Sequence, residues 1–119
     1  MTINETNVAR IKFTRQTCIA TRREGDLVAL ISNDGELNDI KKAIVDIKNA
    51  ATEAKNSWLT WTNGNEEEFE TVGIKHGETD AEYTRRITLI HTRENLKYFT
   101  AIIERIYGVE KIDLVNLMV

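Results

Sequence analysis

Among its 119 residues the chain has no proline and a single cysteine. Without proline, turns fall to Gly, Asn and Asp, and no slow prolyl isomerisation limits folding. With only Cys18, no intrachain disulfide can form, which suits a reducing compartment. Two histidines and one cysteine are too few to complete a zinc site within one chain. The acidic run Glu66, Glu67, Glu68 with Glu70 has neither the spacing nor the glycine of a calcium loop, so it reads as a solvated loop and no metal is expected. Gly-x-Gly-x-x-Gly, Gly-Lys-Ser/Thr and the nucleophile elbow are all missing, so no cofactor is expected. No run approaches the roughly 18 apolar residues of a membrane span. The first eight residues are polar and lack the apolar core of a signal peptide, so the expected location is cytoplasmic. Charge of one sign is also scarce. A net charge of −3 is too mild to attract nucleic acid or a membrane through the overall field, and nucleic acid is not the expected partner.

What is present suits one globular domain over residues 1–119, with residues 1–7 expected to be flexible: 41% of the residues are hydrophobic and 29% charged. Residues 83–91 are rich in β-branched and apolar types and read as a strand. Thr92 follows as a helix N-cap with Glu94 in the first turn, and Leu96, Phe99, Ile103 and Ile106 then recur every three or four residues. Gly108 stands where a left-handed C′ residue belongs, and residues 112–119 are apolar enough for another strand.

Earlier in the chain, residues 8–21 alternate, with Ala9, Ile11, Phe13 and Ile19 on one side and Arg10, Lys12, Thr14 and Gln16 on the other. Residues 27–31 read as a short buried strand. Leu37, Ile40, Ile44, Ile47, Ala51 and Ala54 mark a helix whose narrow, alanine-rich stripe suits close approach to its own sheet or, in part, to a second subunit. Trp58 and Trp61 precede the turn dipeptide Asn63-Gly64, and on a strand they would face opposite ways, leaving one exposed. Residues 69–75 read as a strand with Val72 and Ile74 on one face. The expected fold is therefore α+β, in the order β-β-α-β-β-β-α-β. It is a mostly antiparallel, plait-like sheet of five to six strands with two helices on one face.

With no catalytic constellation, the candidates are binding residues. Arg10, Lys12, Arg15, Arg22 and Arg23 crowd five cations into the N-terminal segment against Glu24 alone. Arg10 and Lys12 on one strand face would repel unless solvated, paired with acids or given an anion. Tyr83, Arg85 and Arg86 form a second basic cluster, which with Tyr98 or Tyr107 could stack a base and hold a phosphate; the alternative is pairing with Glu78, Asp80 or Glu82. His91 and the helix start at Thr92 offer an anion seat, or a general base with Glu94 or Asp80. The function expected from these residues is non-enzymatic sequestration or sensing of a small anionic ligand, a nucleotide or nucleotide-derived signal, by a homo-oligomer. The alternative is a protein-interaction or inhibitor domain, of the kind accessory or phage genes encode, using the acidic segment 66–70 and an exposed tryptophan. Self-association is expected from the narrow helix stripe, that tryptophan and the apolar residues 114–119.

Overall fold

A computed structural model describes residues 2–108, and among them every regular element is a helix. The order is α1 (Ile3–Ser32), α2 (Leu37–Thr62), the short α3 (Glu66–Glu70) and α4 (Asp80–Tyr107). The four-residue turn after α1 sends α2 back antiparallel to it. The longer connection through α3 brings α4 up parallel to α1, as two contacts show. Arg10 meets Glu82 at one end, and the Tyr107 hydroxyl donates to the Gly35 carbonyl at the other. The result is an up-down-up three-helix rod of 49 × 22 × 22 Å, its length set by the roughly 45 Å of thirty helical residues in α1.

The α+β expectation is thus overturned: no strand or sheet occurs among the described residues, and each segment read as a strand there is helix or loop. The reason lies in the buried stripes. In α1 the buried positions are Ala9, Phe13, Thr17, Ala20 and Leu27, spaced as a helix requires, but a threonine interrupts them. Ile11, which completed the apparent alternation, is exposed. Residues 27–31 continue the same helix, and residues 83–91 are the first turns of α4. The buried stripe of α4 begins with Glu82 and Arg86, so its apolar periodicity starts only near Leu89 and Leu96. Thr92 lies buried within α4 and caps nothing. The true start is the capping box Thr79-x-x-Glu82, in which the Thr79 hydroxyl accepts from the Glu82 N–H and the Glu82 carboxylate accepts from the Thr79 N–H. A second box, Asn65-x-x-Glu68, opens α3, so the acidic run is helical rather than an open loop. The strand expected over residues 112–119 lies outside the described residues.

Two sequence expectations coincide with the structure, the α2 stripe and the Gly108 stop. The stripe from Leu37 to Ala54 is α2, and it runs on through Trp58 and Trp61. Gly108 takes the left-handed conformation that ends α4, at φ 64°. Gly35 makes the α1–α2 turn, where a Cβ would sit 2.8 Å from the Leu30 side chain and 2.9 Å from the Leu30 carbonyl oxygen.

The core has two parts. Leu27, Ile40, Ile44, Ile47, Leu96 and Ile103 fill the end near the α1–α2 turn. At the other end Ala9, Phe13, Ala20, Ala50, Ala51 and Ala54 let the helices approach closely beneath Trp58, Trp61, Phe69 and Leu89. The alanine seam of α2 is therefore spent inside the chain. Both tryptophans lie on one helix face and are buried, so the exposed tryptophan expected of a strand does not exist. Among the described residues no helix is long and apolar enough to cross a membrane.

Candidate functional site

The ten candidate residues divide into those that hold the fold and those left free. Arg86 is the clearest of the first kind, with its side chain fully buried. All five of its N–H donors are used. Nε donates to Glu78 Oε2 at 2.8 Å, and Nη2 to Glu78 Oε1 at 2.8 Å and the Gly73 carbonyl at 2.7 Å. Nη1 donates to the carbonyls of Phe69 at 2.8 Å and Thr71 at 2.7 Å. Glu78, equally buried, also accepts from the Trp58 indole N–H at 2.8 Å and the Lys75 backbone N–H at 2.9 Å. A planar guanidinium is the one side chain able to serve a carboxylate and three carbonyls at once. Tyr83 belongs to the same assembly. Its hydroxyl accepts from the Gly73 N–H, and its ring lies 5.4 Å from the Arg86 guanidinium carbon. Arg86 is buried with every donor engaged, and the half-buried Tyr83 is tied to the same loop.

Arg10 and Lys12, two residues apart on a helix, do not share a face. Arg10 makes a two-pronged pair with Glu82 and lies 4.5 Å over the Trp61 ring, while Lys12 pairs with Glu53 at 2.7 Å. Arg23 pairs with Asp26 at 2.8 Å and Asp46 at 3.0 Å. His91 is exposed in the middle of α4, and Asp80, eleven residues before it, is roughly 16 Å away along the axis. The anion seat at Thr92 has no helix N-terminus to supply it. Tyr98 and Tyr107 stand several turns beyond Tyr83 on α4 and offer it no stacking partner.

Arg15, Arg22 and Arg85 remain, and none makes an ion pair with another described residue. Arg22 from α1 and Arg85 from α4 line one open groove of about 390 Å³, together with Thr17, Cys18, Thr21, Thr84 and Thr88. Among the described residues no carboxylate lines it. The Thr17 and Thr21 hydroxyls donate to the carbonyls of Thr14 and Thr17, whereas the Thr84 and Thr88 hydroxyls make no hydrogen bond among the described residues. Arg15 lines the adjoining groove with Arg10, Ile11, Thr14 and Glu82. His91 follows Thr88 by three residues, on the same side of α4. The groove between α2 and α4 is different in kind, since its Lys48, Lys55, Arg93 and Lys97 are accompanied by Glu66, Glu70 and Glu94.

The carboxylates paired with Arg86 and Arg10 are shifted by them. Burial raises the Glu78 carboxyl, but the hydrogen bonds from Arg86, the Lys75 N–H and Trp58 outweigh it and hold the group below its ordinary value. Glu82 behaves alike, raised by burial and lowered further by Arg10 and the Thr79 N–H. A carboxylate with a depressed folded pKa lends stability that is complete above its unfolded pKa and is lost as pH falls through the folded value. The urea midpoint is therefore expected to hold steady down to about pH 5 and to fall below about pH 4.3, the unfolded value for glutamate. Titrating Glu82→Gln in parallel checks the assignment, because that variant should lose less stability on acidification than the wild type.

Comparison with protein-family models, curated proteins and solved structures finds no match to this chain. The grooves and side chains themselves carry the functional reading.

Proposed function

We propose that this chain is a non-enzymatic binding protein that sequesters or senses a small phosphate-bearing anion, of the nucleotide or nucleotide-derived class, in the groove between α1 and α4. The observation that supports this reading is that Arg22 and Arg85, remote in sequence, line one groove in which the described residues place no carboxylate. Two guanidiniums without an acid partner leave positive charge in one groove, and an anion held between them would gain charge-assisted contacts from both. Free threonine hydroxyls at Thr84 and Thr88 add donors for phosphoryl oxygens. The groove is of the size that takes a small molecule. It contains no aromatic ring, so recognition runs through charge and hydrogen bonding rather than base stacking.

Cys18 is the chain's sole cysteine, is exposed and lines this groove, which makes its thiol a built-in reporter. In a thermal-shift panel of mono-, di- and cyclic nucleotides at saturating concentration, at least one is expected to raise the midpoint by several degrees. The same compound should slow alkylation of Cys18 by iodoacetamide, and Arg22→Ala with Arg85→Ala should abolish both effects while leaving the unliganded midpoint within about 2 °C of wild type. A panel that leaves both the midpoint and the alkylation rate unmoved would refute the proposal.

A further inference from the structure

The segment between α3 and α4 is pinned at alternate residues. The carbonyls of Phe69, Thr71 and Gly73 accept from Arg86, and the Gly73 N–H donates to the Tyr83 hydroxyl. Further along, the Lys75 N–H donates to the Glu78 carboxylate, the Lys75 carbonyl accepts from the Glu78 N–H, and His76 Nε2 lies 2.6 Å from Glu68 Oε2. Between these anchors stand Val72 and Ile74, which are 79% and 53% exposed. Two β-branched apolar side chains on the outside of a loop contribute little to folding. A loop held by a buried guanidinium has already lost the freedom that docking would otherwise have to remove.

We propose that loop 71–77 is a preformed docking knob that inserts Val72 and Ile74 into an apolar socket on another protein. The charges around it specify the rim of that socket. Glu67 and Asp80, which flank the loop in sequence, are exposed and make no ion pair with another described residue, and the loop's one cation, Lys75, acts on Glu68. A partner bordered by lysine or arginine is complementary to this surround, and an anionic membrane surface is not. The knob uses none of the side chains that line the α1–α4 groove, so either can fail without the other.

The test begins by capturing partners from lysate of the cells in which the chain is native. The captured protein is then purified and titrated against the wild type, Val72→Asp with Ile74→Asp, and Glu67→Gln. Both knob positions are exposed, so the first variant should keep the helical circular-dichroism spectrum and thermal midpoint of the wild type. Its affinity for the partner is expected to fall by at least about tenfold, as for a desolvated anchor. The glutamine variant should bind several-fold more weakly at low salt and match the wild type at high salt. A captured protein that binds the aspartate variant as well as the wild type overturns the proposal, as does the absence of any bound protein. Self-association of the wild type that the aspartate variant lacks would also overturn it, by making the occupant a second copy of this chain.

Discussion

Replacing Arg86 with alanine is expected to cost about 4 kcal/mol of folding stability, a large share of the roughly 5–15 kcal/mol that a domain possesses. The loss has three sources. Glu78 would be left as a buried carboxylate with the Trp58 and Lys75 N–H groups as its remaining donors. The carbonyls of Phe69, Thr71 and Gly73 would lose the guanidinium that gathers them. A cavity would also open beside Trp58, whose ring lies 5.2 Å from the guanidinium carbon. Arg86→Lys should recover less than half of the loss, because an ammonium offers three donors without the planar fork. Urea denaturation monitored by circular dichroism measures both variants. A fall below about 1 kcal/mol for Arg86→Ala, the range of an exposed ion pair, would mean that the clamp is solvated.

Trp58→Ala carries the second large effect, expected at about 3–5 kcal/mol. The indole is fully buried, meets Phe69 edge-on with centroids 5.4 Å apart and Trp61 at 6.5 Å, and donates to Glu78. Trp58→Phe separates packing from polarity. It keeps most of the apolar contact but takes one donor from Glu78, at a cost of about 1–2 kcal/mol. Because Trp58 and Arg86 serve the same carboxylate, the double alanine variant should lose less than the sum of the single losses. Strict additivity would show that the two side chains act independently.

The legible part of the fold was the part whose buried face is apolar, save for Thr100 in α4. Helix α2 reveals itself from Leu37 to Ala54 because every buried position there is Ile, Leu or Ala, and the second half of α4 does so through Leu96 and Ile103. Helix α1 and the first half of α4 were hidden because Thr17, Glu82, Arg86 and Thr92 occupy buried positions. A polar residue in the stripe erases a 3.6-residue period and leaves chance alternation such as Ala9, Ile11 and Phe13 to suggest a strand. The signal that could have corrected the reading was local. Asn65-x-x-Glu68 and Thr79-x-x-Glu82 are helix starts by their spacing alone.

The candidate site was legible in composition but not in assignment. Arginine content shows that cations are present but not which are spent, since that depends on carboxylates brought in from other helices: Glu82 to Arg10, Glu53 to Lys12 and Asp46 to Arg23. For Arg86 the partner was among the acids the sequence offered, at Glu78, but the three carbonyls that complete its shell come from a loop whose shape no pattern specifies. Arg22 and Arg85 line one groove because α1 and α4 run side by side, a relation that appears only once residues 83–91 are read as helix.

The division between a structural and two free guanidiniums is tested most directly by nuclear magnetic resonance of the arginine side chains in protein labelled with nitrogen-15. Arg86 is expected to show resolved Nη protons and an Nε–H that exchanges slowly with solvent, while Arg22 and Arg85 show averaged, rapidly exchanging signals. An Arg86 spectrum averaged like theirs would contradict the clamp, and with it the rigid loop and the packing of α4.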